Sequence, residues 1–599
     1  MKIRRALPPL IFVSGFCARA FVVDLNSTGD PLRWHLDPLE PSDPPNAGGV
    51  HTNVVNPVTG AIRYFLASDG FSTTNTVAEL NAVRASFAQW QSVPGTVLKF
   101  EDAGVVAPGV DINTSDNQNV VFWAKNSTTV NGGMDNISGA LGVTFNSWFP
   151  DNNAQAEADI VFNGVQYSWF TDFNNTNASG TQIFVESTAL HEIGHFLGLK
   201  HSPVGGATML FRGSGGVNAQ AGLSSDEVAA VQWLYGTSGT ITTLGHLQGQ
   251  VTMNGSAVFG AVVLAEEAST GNLAAGTVTH TNGSYDLPAM PPGQYRVRVT
   301  PLDPVGTADF LIRGRDVSNE KDGAGNFIFD AVQTAFLPSN DADITLAAGT
   351  TLTQSFTVTS GSPAFRITQI RTPSNNFGSF NWSSLPTTIR PGQSNLIIGV
   401  ASADLPTSGA TLAITGDGLT LGAPAFSTLS GLNFVSIPIS VAGNASPGLR
   451  SFVIQRGADL AYANGFLDIQ SLVPDFNFDG LDDRFQRRYF PLFTASEAGP
   501  GADPDGDTFN NQDEYIAGTN PTNALSLLKI DSIVMNAGGS TIAWQSGPGR
   551  NYRVWSRRDV ANDPWQTVGS PVASGGASTQ FTDASATNGF RFYRVQALP

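Results

Sequence analysis

The chain has 599 residues, too many for one core, and its 64 glycines, 35 prolines and 13% charged residues favour about four or five domains rich in short strands and turns over a helical protein. A hydrophobic share of 41% excludes wholesale disorder, and a net charge of −18 argues against nucleic acid and anionic membrane as partners. The single cysteine, Cys17, excludes a disulfide framework.

In chain order, residues 1–20 read as a secretory signal peptide. Lys2, Arg4 and Arg5 form a positive start, residues 7–16 an apolar run, and Ala18-Arg-Ala20 a small-x-small cleavage site before Phe21. The apolar run is too short to span a bilayer comfortably, and no later segment is a candidate membrane span. The expectation is a secreted protein, extracellular or periplasmic. Removing the signal takes away Lys2, Arg4, Arg5 and Arg19 and lowers the charge to −22, which suits a chain that binds cations. No thiol remains for a disulfide or a thiol latch, and bound calcium is a common alternative source of stability.

Residues 21–237 read as one α/β unit. Strands are predicted at 61–66, 97–100, 119–123, 141–145 and 158–162. Residues 77–91 form an amphipathic helix with Leu80, Val83, Phe87 and Trp90 on one face. Residues 181–197 form a second helix and 225–235 a closing one, with Ser224 or Ser225 as cap, Asp226 and Glu227 in the first turn and Gly236 at the end. Residues 244–361 and 362–472 alternate apolar and polar residues between turns, a β-sandwich pattern. Residues 473–525 are dense in aspartate with short helical stretches, and 526–599 return to strands.

The second helix carries His191-Glu-Ile-Gly-His195-Phe-Leu-Gly198-Leu-Lys-His201. His191 and His195 are four apart and share a helix face, so two imidazoles can grip one metal ion. Glu192 projects beside them as a general base for water. Gly198 permits a left-handed exit that brings His201 round as third ligand. Three protein ligands leave a fourth position open, the mark of a catalytic zinc site. Met209 follows eight residues later in Ala207-Thr-Met-Leu210.

The extended motif, Ser202 directly after it, Met209, and the stretch Leu223-Ser-Ser-Asp-Glu-Val-Ala-Ala-Val-Gln-Trp-Leu-Tyr-Gly236 together resemble the matrixin branch of the metzincin metallopeptidases. Arg33-Trp34, Phe87-Ala-Gln-Trp90 and Ala158-Asp-Ile-Val-Phe162 fit the same template. The resemblance covers about residues 30–237. It implies a twisted, mostly parallel sheet, an active-site helix, a cleft against the edge strand, one catalytic Zn2+ on His191, His195 and His201, Glu192 as general base, and Met209 as a Met-turn packing residue. Only His35 and His51 precede the motif, so no second zinc is expected, and no cysteine-switch propeptide is expected either.

Asp475, Asn477, Asp479 and Asp483 stand at positions 1, 3, 5 and 9 of one loop; Asp503, Asp505, Asp507, Asn511 and Glu514 stand at 1, 3, 5, 9 and 12 of another. That is EF-hand-type spacing, in which alternate oxygen ligands converge on Ca2+. The second loop is the better match, because Gln486 holds position 12 of the first. The segment resembles thrombospondin type 3-like calcium repeats, which implies a structural, calcium-dependent spacer. Residues 246–297 resemble a carboxypeptidase regulatory-like, prealbumin-type sandwich. Residues 362–472 resemble an Ig-like domain, and 526–599 a C-terminal β module. Trp544, Trp555 and Trp565 read as core rather than sugar-binding aromatics, and His246 and His280 as structural.

The fold class expected is therefore multidomain: an α+β zincin domain, then all-β sandwiches and a calcium-loop segment. The function expected is a secreted zinc endopeptidase acting on protein or peptide substrate, with β modules that bind a polymer or cell surface. The alternative is a non-enzymatic adhesion or matrix-binding protein that keeps a zincin fold.

Overall fold

The structure is a computed structural model that describes residues 22–23, 31–36, 53–149, 154–175, 181–213, 219–318, 320–321, 326–377, 381–586 and 591–598. The expected signal peptide at 1–20, and His51, lie outside the described residues.

The first unit is a five-stranded sheet backed by helices. In chain order it contains β1 (Ile62–Ala67), α1 (Thr76–Gln91), β2 (Phe100–Val106), β3 (Val120–Ala124), β4 (Gly142–Trp148), β5 (Gln155–Asn163), α2 (Val185–Phe196) and α3 (Ser225–Tyr235). The strand order is β2-β1-β3-β5-β4. β1, β2, β3 and β5 run parallel, and only the edge strand β4 is antiparallel to its neighbour. β3, Val-Val-Phe-Trp-Ala, is apolar on both faces, as a strand covered on both sides must be, whereas β5 buries Gln155, Glu157, Asp159 and Asn163 on one face and Ala158, Ile160 and Phe162 on the other. Leu80, Val83, Phe87 and Trp90 of α1 are buried, as their spacing predicts.

β4 and β5 run longer than the expected 141–145 and 158–162, and two other elements differ more. The strand placed at 97–100 is instead β2, which begins at Phe100 and runs on through Glu101-Asp102-Ala103-Gly104. Leu98 is buried ahead of it, and Thr96 bridges Gly236 at the end of α3. Parallel pairing with β1, not intrinsic β propensity, makes those residues a strand. The helix placed at 181–197 starts at Val185, because Gln182–Phe184 pairs as a strand with Ser168–Phe170.

Residues 245–357 form two sheets that share one core. One is centred on Gly245–Met253, paired with Ser284–Met290; the other has Val262–Glu267 between Leu273–Val278 and Gly293–Thr300. A further pair of sheets covers 369–469, and a third pair covers 530–598. Between them, α5 (Asp483–Tyr489) and α6 (Asn511–Ala517) flank the aspartate-rich loops; α4 (Gly314–Val317) is a single turn inside the first sandwich.

The units are not separate beads. Val204, Ala207 and Leu210 of the first unit belong to the same apolar cluster as Leu264 of the first sandwich and Phe466 of the second. A buried Arg298–Glu266 pair of the first sandwich, at 2.5 Å, meets Ser451 of the second, whose hydroxyl donates to Glu266 at 3.0 Å and accepts from Arg298 at 2.9 Å. In the last pair of sheets Trp544 is buried, as expected. Trp555 and Trp565 are not core: Trp555 points away from its buried neighbours Val554 and Ser556, and the guanidinium of Arg594 stacks on both indoles. His246 and His280 pair with Asp286 and Glu320.

Candidate metal and catalytic site

The site is built on α2, and every carbonyl near its C-terminal end has a partner. Trp90 Nε1 donates to Leu190 O, Thr144 Oγ1 to Glu192 O, Asn146 Nδ2 to His195 O, Trp34 Nε1 to Phe196 O and Tyr235 Oη to Leu197 O. These donors come from α1, the edge strand β4, the N-terminal segment and α3, so the helix is fixed from four sides. The turn after it is a Schellman motif: Leu199 N donates to Gly194 O and Gly198 N to His195 O. Gly198 has φ +97, and a Cβ there would lie 2.2 Å from Leu32 O, so only glycine makes this exit.

That exit brings the three histidines together. One nitrogen of each of His191, His195 and His201 lies within 4.8 Å of the others, and all three are part-exposed. Each Nδ1 is engaged by a backbone carbonyl: His191 with Thr208 at 2.8 Å, His195 with Leu199 at 2.8 Å, and His201 with Asp316 at 2.9 Å. A ring that donates from Nδ1 keeps its Nε2 lone pair for a metal. Burial lowers the pKa of all three rings, His201 to about 3, which keeps them in the neutral, ligating form. This donor set fits zinc: three imidazoles, tautomers fixed, with one side open.

Glu192 is buried beside them, 3% exposed. Its Oε2 accepts from Thr144 Oγ1 at 2.7 Å, and Gly142 leaves room for its stem, since a Cβ there would sit 2.8 Å from Glu192 Cγ. Burial pushes its carboxyl up to about 7, against the pull of the Thr144 hydroxyl, which is the range for a group that takes and gives a proton at neutral pH.

Met209 lies under the helix, where a Cβ on Gly194 would fall 2.2 Å from its sulfur. Its backbone is held by Glu227, from the first turn of α3, and by Ser202, the residue after the third histidine. Glu227 accepts Ser224 N at 3.0 Å, closing a capping box on α3, and its other oxygen accepts Met209 N at 2.8 Å. Ser202 N donates to Met209 O, and Ser202 Oγ donates to Asp226 at 2.6 Å. The Ser-Ser-Asp-Glu pattern signals the cap; nothing in it signals the Met209 contact.

The residues between His201 and Met209 form a joint: Gly205 N donates to Asn464 O at 2.8 Å, and a Cβ on Gly205 or Gly206 would lie 2.3 Å from Phe466 or Leu449. At the other end of α2, Glu186 meets Arg487 of α5 in a bidentate pair at 2.5 and 2.6 Å, and Arg487 lies between the rings of Phe173 and Phe493.

Of the two aspartate loops, the second gathers its ligands. One oxygen of each of Asp503, Asp505 and Asp507 lies within 4.8 Å of the others. Asp505 Oδ2, Asp507 Oδ2, Asn511 Oδ1 and both Glu514 carboxylate oxygens are buried without hydrogen-bond partners. Burial raises the Glu514 carboxyl to about 7. Such an orphaned oxygen cage fits a hard cation. The first loop differs. The amides of Asn477 and Gln486 both donate to Asp479 Oδ2, and Asp475 is spent on the backbone N–H groups of Asp479 and Gly480. Asp483 Oδ2 accepts Phe476 N. Its Oδ1 and Asn477 Oδ1 remain orphaned, but Asp475, Asp479 and Asp483 are not gathered as the second loop's acids are.

Residues 59–236 match the matrixin family model, and 246–307 match the carboxypeptidase regulatory-like domain. The chain is 30% identical over 175 residues to metalloendoproteinase 4-MMP of Arabidopsis thaliana, covering 28% of this chain and 44% of that protein. It is also 30% identical over 153 residues to metalloendoproteinase 1-MMP of the same plant, covering 26% and 36%. The matches thus span less than half of each relative. A solved 5-hydroxyisourate hydrolase from Klebsiella pneumoniae is 14% identical, with a TM-score of 0.12 over 23% of this chain and 91% of that one, and supports no argument. The chain carries a matrixin-like catalytic domain, followed by a carboxypeptidase regulatory-like domain.

Proposed function

We propose that this chain is a secreted zinc-dependent endopeptidase in which Glu192 is the general base. The observation that carries the reading is the convergence of three Nδ1-tethered imidazoles beside a buried carboxylate of raised pKa. Zinc bound there supplies a Lewis acid that polarises the scissile carbonyl and acidifies the attacking water. Glu192 takes the proton from that water and delivers it to the leaving amine. Thr144 orients the carboxylate through its hydroxyl. The edge strand β4, running antiparallel to β5 beside α2, offers a free backbone edge along which an extended peptide can pair. We propose further that the 503–514 loop holds a structural Ca2+, supported by its orphaned oxygens. Secretion rests on the signal-like residues 1–20; among the described residues no helix is long and apolar enough to cross a membrane.

Glu192→Gln tests the mechanism. The variant is expected to retain zinc, measured by metal analysis, while losing about 10²–10⁴-fold of wild-type peptidase activity. Equal turnover of the two proteins would sink the assignment. A wild type that binds zinc yet cleaves nothing across a broad peptide library would favour the non-enzymatic adhesion reading.

A further inference from the structure

His191 and His195 are oriented by carbonyls of their own unit, Thr208 and Leu199. His201 is not: its Nδ1 partner, Asp316 O, lies 115 residues away on α4 of the following sandwich. The geometry points to Asp316 as a positioning residue of the metal site, so that the sandwich following the catalytic domain orients one of the three metal-binding rings. This rests on the zinc-peptidase reading.

The turn that presents this carbonyl is held rigidly. The Asp316 carboxylate accepts Arg313 N at 2.8 Å, and Arg313 Nε and Nη2 at 3.1 Å each. The Arg313 guanidinium lies 3.4 Å from the centroid of Phe310. Phe310 in turn stacks with Phe211, the second residue after Met209, at 6.3 Å and 14°. Gly314 closes the other side, where a Cβ would lie 2.8 Å from Val332 and 3.0 Å from Phe329 O. Asp316 is 8% exposed, so water does not readily replace its carbonyl. The carbonyl fixes the His201 tautomer and ring plane and raises the basicity of Nε2, as outer partners of metal-bound imidazoles do. It acts through His201 and does not touch substrate.

The test uses the full chain and measures zinc affinity by chelator competition, with the visible spectrum of the cobalt-substituted protein as a second readout. Asp316→Ala unpins the turn, and Gly314→Ala displaces it with no change of charge. Each is expected to weaken zinc binding about tenfold and to shift the cobalt bands. Asp316→Asn keeps an oxygen for Arg313 N and should recover most of the affinity. Asp286→Asn, in the same sandwich beside His246, should leave affinity and spectrum unchanged. Should Asp316→Ala not fold, Gly314→Ala and Asp316→Asn decide the matter. Wild-type zinc affinity and an unshifted spectrum in Gly314→Ala would overturn the inference while leaving the peptidase reading intact. Failure of the wild type itself to bind zinc would overturn both.

Discussion

Replacing Glu186 by glutamine measures how firmly segment 473–525 holds the active-site helix. Glu186 and Arg487 are 4% and 12% exposed, paired by two short hydrogen bonds. The glutamine keeps the contact with Gln89 but leaves the Arg487 charge buried between two phenyl rings with no carboxylate hydrogen-bonded to it, Asp483 acting on it only from a distance. Removing one partner of such a pair costs about 3–5 kcal/mol, whereas replacing both by apolar groups is close to neutral. At ~1.4 kcal/mol per tenfold, the single change opens the α5 contact by about a hundredfold to several thousandfold. Glu186→Gln/Arg487→Met should recover most of it. Hydrogen exchange on peptides spanning Asp483–Tyr489 and the first turn of α2 reads the opening locally, which suits a multidomain chain that does not unfold in one step. Wild-type protection in the single variant, or a double variant no better than the single, would refute the reasoning.

Calorimetric titration of the full chain with Ca2+ should show loss of a site in Glu514→Ala and none in Asp479→Asn, because Asp479 is already satisfied by two amides; the reverse order of effects would contradict the ligand assignment. Gly194→Ala drives a methyl into the Met209 sulfur and should cost about 1–3 kcal/mol, seen as a lower Tm with weaker zinc retention; an unchanged Tm would show that this contact is not tight. Burial raises the Asp468 carboxyl to about 7, above its unfolded value near ~3.9. The folded chain therefore binds this proton more tightly. The stabilisation it brings is complete below the unfolded pKa and is lost as pH rises through about 7. Asp468→Asn should flatten the change in unfolding midpoint between acid and neutral pH, and identical profiles for the two proteins would refute it.

The metal-ligand motif was legible because α-helical periodicity alone sets His191 and His195 on one face, and Gly198 carries its left-handed turn in its identity. The capping box at Ser224 was legible for the same local reason. What escaped was non-local. A backbone carbonyl has no sequence signature, so nothing near residue 316 announces a contact with His201. Arg487 reads as one more surface arginine until the fold sets it 301 residues back along the chain against Glu186. β2 escaped because Glu101-Asp102-Ala103-Gly104 has weak strand preference and is ordered by pairing with β1. The first aspartate loop has good spacing, but spacing cannot show that amides of Asn477 and Gln486 occupy Asp479.

The loop between His201 and Met209 has a consequence for how such a chain can be rearranged. Val204, Ala207 and Leu210 are fully buried in the apolar cluster that also holds Leu264 and Phe466, and Gly205 and Gly206 are flat enough to admit Phe466 and Leu449. A protease cut or gene fusion that ended the chain at residue 237 would expose an apolar wound beside the histidines. The β sandwiches are thus less like cargo on a tether than like a cover fitted to the first unit. Swapping them for those of another protein would require recutting the surface of this loop as well.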